Sequence, residues 1–146
     1  MQVREVCAER FISMKEEPPL GEHYLIELWD CDFSKLDNLS DIQKTMTQAA
    51  LVAGGTIVDE KFHQFAPQGV SGVVVIAESH LSIHTWPELG YAAMDLFTCK
   101  LDMDIDSCIQ LIQKHLCPGN IEIKRILRGM PRKRPMQLSG LNKVSA

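Results

Sequence analysis

The sequence predicts an α+β domain built as a two-layer sandwich, an antiparallel β-sheet with two helices on one face, in the order β-α-β-β-β-β-α-β. Three observations predict it. Six runs are rich in apolar, β-branched or aromatic residues, and only two segments repeat their apolar residues at helical spacing. Four of the strand-like runs follow in close succession, with breaks too short for the crossover that parallel neighbours need. A chain of 146 residues, 45% apolar and 23% charged, suits one globular domain around one core.

Residues 1–20 close on Glu16-Glu17-Pro18-Pro19-Leu20 without a clear period and read as an extension ahead of the fold. The domain proper is expected over 21–130. Its first strand begins in the run Gly21 to Glu27. Asp37 to Ser40 is turn chemistry, and Ser40 followed by Gln43 matches a capping box that would open a helix carrying Ile42, Met46, Ala49, Ala50 and Ala53. Gly54-Gly55 stops that helix. The runs Thr56–Phe65, Val70–Glu78, Leu81–Trp86 and Tyr91–Thr98 follow, with Pro67, Gly69, Pro87 and Gly90 in the breaks. Asp104 can cap a second helix with Ile105, Cys108, Ile112 and Leu116 along one face, ended by Pro118-Gly119. A last strand covers Ile121–Leu127, and residues 131–146 form a basic tail.

Composition excludes several classes. No unbroken apolar run is longer than Val73 to Ala77, far short of the ~20 residues a spanning helix needs, so no membrane partner is expected. The N-terminus mixes both charge signs and does not read as a secretory signal. Five cysteines, Cys7, Cys31, Cys99, Cys108 and Cys117, are an odd number with no Cys-x-x-Cys pair, which argues for a reducing, cytoplasmic setting. From Ile121 onward seven Lys and Arg face one acid, yet the whole chain carries −4, so the basic end reads as a solvated tail and no nucleic-acid partner is expected.

Reactive side chains concentrate between Phe62 and Cys99, where a sheet would ordinarily place apolar residues. A metal site could draw on His80, His84, Cys99 and His63, but a four-residue spacing brings two histidines together on a helix and this segment reads as extended, so no metal is expected. Cys99 paired with His84 could form a thiol nucleophile, although no oxyanion donor or orienting residue is visible in the sequence. Gly69-Val70-Ser71-Gly72 lacks the spacing and the following helix of a phosphate loop.

The run FHQFAPQGVSGVVVIAESHLSIHTWPELGYAAMDLFTC, Phe62 to Cys99, resembles the prokaryotic S-adenosylmethionine decarboxylase proenzymes, which are pyruvoyl-dependent. A weaker likeness runs from about Glu22, through YLIELWDCDFSKLDN, to Leu127-Arg128-Gly129. The resemblance implies self-cleavage between Glu78 and Ser79. The Ser79 hydroxyl would attack the Glu78 carbonyl, the amide would become an ester, and elimination and hydrolysis would leave a pyruvoyl group derived from Ser79. His84 matches the base of this processing and Ser71 its polar helper. The pyruvoyl group would form a Schiff base with the substrate amine and accept the electrons released with carbon dioxide. Cys99 matches the acid that returns a proton to the substrate α-carbon. Phe65 matches the aromatic that stacks on adenine, Glu88 the carboxylate that holds the ribose hydroxyls, and Trp86 would wall the pocket.

Taken singly, Phe62, Phe65 and Trp86 read as core aromatics, Cys99 as a buried small residue, and Ser71 as a strand residue beside Gly72. His63 and His80 read as structural or supporting residues. The functional reading rests on the co-occurrence of Phe65, Ser71, Glu78-Ser79, His84, Glu88 and Cys99. It implies S-adenosylmethionine as the small-molecule substrate, decarboxylated for spermidine synthesis, and a homodimer or higher homo-oligomer of cleaved protomers with sites at the interface. Two alternatives stand beside it. A related pyruvoyl enzyme could decarboxylate arginine or ornithine, since a carboxylate such as Glu88 also pairs with a guanidinium. An uncleaved regulatory paralogue is the other, because Lys100 follows Cys99 where the family usually has glycine.

Overall fold

In the computed structural model, which describes residues 17–131, the chain forms β1 (Gly21–Trp29), a one-turn helix α1 (Phe33–Leu36), α2 (Leu39–Val52), β2 (Ile57–Gln64), β3 (Val70–Ile76), β4 (Ser79–Trp86), a 3-10 turn (Pro87–Leu89), β5 (Tyr91–Thr98), α3 (Ile105–Leu116) and β6 (Asn120–Arg128). The extension and the basic tail lie outside the described residues except at their inner ends. The strands form one sheet in the order β2-β3-β4-β5-β1-β6, and every neighbouring pair is antiparallel. Helices α2 and α3 pack on each other and share one side of the sheet, as the sequence predicts.

Several boundaries differ from the sequence reading, each for a local reason. Asn38, not Ser40, caps α2, its side-chain oxygen accepting from the Asp41 N–H at 3.0 Å. Ser40 therefore sits in the first turn and the box with Gln43 does not form; Gln43 instead donates to Glu60 on β2 at 2.7 Å. The single turn α1 is too short for an apolar period to reveal. Asp104 does cap α3, accepting from Ser107 N–H at 2.9 Å, but the helix ends in a left-handed Cys117 (φ 48°), one residue before Pro118-Gly119. β3 stops at Ile76 and β4 starts at Ser79, so Ala77 and Glu78 alone make the turn between them.

Strand alternation sorts the side chains into two layers. Ile26, Leu28, Val74, Leu81, Ile83 and Leu96 point into the core against Ile42, Met46 and Ala49 of α2 and Cys108, Ile112 and Leu116 of α3. Among the described residues no helix covers the opposite face. That face carries His23, Ser71, Val75, His80, Ser82, His84, Trp86, Tyr91, Asp95 and Phe97, a mixture too polar for a core and too apolar for an ordinary wet surface.

Candidate functional site

The predicted residues gather in two clusters, of which the second, with Ser71 and His84, lies on this open face. The first is at the β3–β4 turn. Two-residue hairpin turns normally place a residue with positive φ inside the turn, usually Gly or Asn. Ala77 and Glu78 do not; Ser79, just after them, adopts φ 149°. That region is nearly exclusive to glycine and costs a side-chain-bearing residue on the order of 1–3 kcal/mol. Backbone strain is thus concentrated at Ser79, whose amide nitrogen belongs to the Glu78–Ser79 peptide bond.

The carbonyl of that same bond is held from the other side by Cys99. The Cys99 backbone N–H donates to Glu78 O at 2.9 Å and its exposed thiol lies 3.2 Å from the same oxygen. Two donors on one carbonyl oxygen form the arrangement that stabilises a developing oxyanion. No sequence motif pointed to this pair of donors, because one of them is a backbone group that follows β5 and is placed by the pairing of β4 with β5. Thr56 anchors the turn: its N–H and hydroxyl reach the Glu78 carboxylate at 3.0 and 3.2 Å, and its carbonyl accepts from Ala77 N–H at 2.8 Å. The Thr56 N–H, with help from its hydroxyl and from Lys100, holds the Glu78 carboxyl below the usual carboxylate range. The Lys100 ammonium lies over Gly54 and serves Glu78, while the Cys99 thiol faces the carbonyl.

The second cluster lies toward the other end of the same strands. Ser71 on β3 faces His84 on β4, with Ser71 Oγ 2.8 Å from His84 Nδ1. His63 on β2 is opposite Ser71 and meets the Phe65 ring edge-on, centroids 4.7 Å apart. Ser71, His84 and His63 border an open groove of about 280 Å³ lined also by Lys61, Phe62, Val73 and Ser82. Phe65 is 48% exposed. Glu88, on the 3-10 turn, receives the Gln68 side-chain amide at 3.3 Å, which links it to the loop carrying Phe65. Trp86 stacks on Tyr91, and Tyr91 on Trp29, with ring centroids 5.3 and 4.2 Å apart.

The two clusters do not meet within one chain. His84 is five residues beyond Ser79 on a single strand, so the two Cα positions are about 17 Å apart. Ser79, Glu78 and Cys99 thus form one half-site, and Ser71, His84, Phe65 and Glu88 another.

His80 and His84, four residues apart on β4, do not converge. His80 instead joins His23 and Asp95, two residues the sequence reading passed over, with potential ligand atoms within 4.8 Å of one another; among the described residues this is the one such cluster. His23 Nε2 lies 2.8 Å from Asp95, Ser82 donates to Asp95 at 2.6 Å, and Arg128 approaches His23 Nδ1 at 2.8 Å. A guanidinium can only donate, so His23 Nδ1 accepts and Nε2 carries the proton towards Asp95. That lone-pair arrangement suits a hydrogen-bonded network and not a cation. Burial pushes the Asp95 carboxyl up, but the Ser82 and His23 hydrogen bonds outweigh it and leave the group lowered.

Comparison with known proteins places this geometry in context. The family model described as S-adenosylmethionine decarboxylase matches residues 22–129. An S-adenosylmethionine decarboxylase proenzyme of Methanococcus aeolicus is 48% identical over 110 residues, covering 75% of this chain and 94% of the relative. One from Thermosipho melanesiensis is 50% identical over 110 residues, covering 75% and 85%. The crystal structure of the adenosylmethionine decarboxylase from Aquifex aeolicus superposes with a TM-score of 0.74 at 35% identity, covering 83% of this chain and 100% of that one. The matched span contains both clusters and, but for Gly21 at the start of β1, every strand and helix described above, and the chain therefore belongs to the S-adenosylmethionine decarboxylase family.

Proposed function

We propose that the chain is a self-cleaving decarboxylase of S-adenosylmethionine that works as a homodimer in the cytoplasm and supplies the aminopropyl donor for spermidine synthesis. The observation that carries this reading is the strained Ser79 beside a carbonyl held by two Cys99 donors, in a chain of this family. Ser79 Oγ attacks the Glu78 carbonyl carbon to form a tetrahedral intermediate whose oxygen Cys99 stabilises; the C–N bond then breaks as the nitrogen takes up the proton the hydroxyl lost, leaving an ester. Moving the acyl group from nitrogen to oxygen releases the backbone constraint at Ser79. Removal of the Ser79 α-proton by His84, oriented by Ser71, then expels the Glu78 carboxylate. The dehydroalanine that remains tautomerises to an imine, and water adds to it and displaces ammonia to leave the pyruvoyl end.

Because His84 lies about 17 Å along the strand from Ser79 in its own chain, the base comes from a second copy. Two protomers that pack their open sheet faces together, antiparallel across a two-fold axis, bring one chain's Ser71 and His84 to the other's Ser79. The same contact covers the exposed Val75, Trp86 and Phe65.

The residues at the turn fit the pyruvoyl group, which supplies an electron sink for the pair left when carbon dioxide departs. Cys99 Sγ holds the proton that goes to the substrate α-carbon. The Phe65 ring stacks on adenine and lies near the sulfonium charge. Glu88 accepts the ribose hydroxyls, Trp86 closes one side, and His63 braces Phe65. The reading is tested by intact mass of the purified protein, followed by turnover with S-adenosylmethionine, arginine and ornithine. Cleavage after Glu78 and turnover of S-adenosylmethionine are expected. An intact chain, or preference for either amino acid, overturns it.

A further inference from the structure

Phe65 and Gln68 belong to a five-residue connection between β2 and β3, Phe65 to Gly69, closed by a hydrogen bond from Phe65 N–H to Gly69 O at 2.8 Å. Gly69 has φ 102° and faces the Thr85 carbonyl, with 3.1 Å left for a Cβ, so the loop turns back tightly against β4. Its tie to the body of the protein is a residue far away in sequence. Asp37 Oδ1 accepts from the Gly69 N–H at 2.8 Å and from the Gln64 side-chain amide at 2.8 Å; that amide also reaches Gly69 O at 3.3 Å. Asp37 is itself fixed. It caps α1, whose Leu36 is fully buried and whose Leu36 carbonyl accepts from the Thr85 hydroxyl at 2.7 Å, while that hydroxyl accepts from Val70 N–H at 2.8 Å. One carboxylate oxygen therefore couples the core to the loop that carries Phe65 and, through Gln68, touches Glu88.

We infer that Asp37 is a positioning residue for nucleoside selectivity, holding the Phe65–Gly69 loop so that Phe65 and Glu88 grip the adenosine half of the substrate. This rests on the proposed reading of the site and extends it. An ionised acceptor makes stronger hydrogen bonds than a neutral one, and here one oxygen takes two. Without it the Phe65 ring and the Gln68–Glu88 contact lose their common anchor. The Ser79–Cys99 half-site, on the β3–β4 turn at the other end of these strands, keeps its own contacts with Thr56.

The test separates the two halves of the substrate. Asp37→Ala is expected to raise KM for S-adenosylmethionine about tenfold to a hundredfold, the scale of charge-assisted hydrogen bonds. Inhibition by 5′-methylthioadenosine, the nucleoside half, weakens in parallel, and inhibition by methionine, the amino-acid half, holds. Asp37→Asn retains an oxygen with two lone pairs and recovers most of the loss. Gln64→Ala, at an exposed position, raises KM several-fold and serves as the probe if the alanine variant of Asp37 does not fold. An unchanged KM in Asp37→Ala, or in Gln64→Ala where that variant stands in, overturns the inference. So does equal weakening of both inhibitors. If the unaltered protein fails to decarboxylate S-adenosylmethionine, the proposed function falls, and methylthioadenosine binding to the original and Asp37→Ala proteins by calorimetry still decides the role of Asp37.

Discussion

At the residue scale the decisive feature is Ser79, whose φ of 149° suits glycine. The strain can be measured with two variants that both lack the nucleophile. At an ordinary extended position Gly is less stable than Ala by about 0.4–1 kcal/mol, through the entropy of the unfolded chain. Ser79→Gly is expected to exceed Ser79→Ala in stability, because relief on the order of 1–3 kcal/mol outweighs that loss. Denaturant unfolding of the uncleaved variants checks the sign. Cys99 yields a second prediction. Cys99→Ala keeps the backbone N–H on the Glu78 carbonyl and loses only a weak thiol donor, so self-cleavage slows on the order of tenfold, less than the ~100-fold of losing a strong oxyanion donor. Turnover of S-adenosylmethionine is expected to fall further, since the same change removes the proposed proton donor. Intact-mass time courses and product assays separate the two effects.

At the element scale the sheet holds its outer strand β6 with a polar device. Glu22 on β1 is buried and takes a hydrogen bond from the Arg125 guanidinium of β6, with the Tyr24 hydroxyl adding another. Arg125 holds the Glu22 carboxyl below the ordinary range, against the opposing effect of burial and with help from Tyr24. A depressed carboxyl contributes stability that is fully present above the ordinary pKa of about 4.3 and is lost as the pH falls through the lower folded value. Glu22→Gln removes that contribution. The variant is expected to be less stable than the original at neutral pH, and the gap is expected to narrow on acidification, as read by urea unfolding at a series of pH values.

At the scale of the whole molecule the separation of Ser79 from His84 makes assembly part of the proposed chemistry, which can be tested directly. Ser79→Ala and His84→Ala should each fail to mature when expressed alone. Co-expressed, they form mixed dimers in which the His84→Ala chain presents Ser79 to an intact Ser71–His84 pair from its partner. Cleavage of the His84→Ala chain only in the mixture is the expected result. Cleavage of that chain alone, or none in a verified mixed dimer, sinks the two-protomer site. The N-terminal piece ending at Glu78 and the C-terminal piece starting at residue 79 should stay together after cleavage, because β3 and β4 pair along their length and share one core.

The amino-acid sequence by itself determined the element order, the helices from Ile42 and Ile105 onward, and the residues that carry the family likeness, because hydrophobic period and motif identity are local properties. It misread the start of α2, where Asn38 competes with Ser40 for the same cap, and it missed α1, too short to show a period. Only the tertiary structure decided which of the singled-out residues meet. Sheet register set Cys99 against the Glu78 carbonyl and Ser71 against His84 and drew His23 and Asp95 to His80, while the packing of α1 on the sheet set Asp37 against Gly69. It also kept Ser79 and His84 apart, because a strand advances about 3.4 Å per residue and cannot fold back on itself within five. Neighbours in a motif are therefore not neighbours in the folded chain, and that distance is what the proposed homodimer bridges.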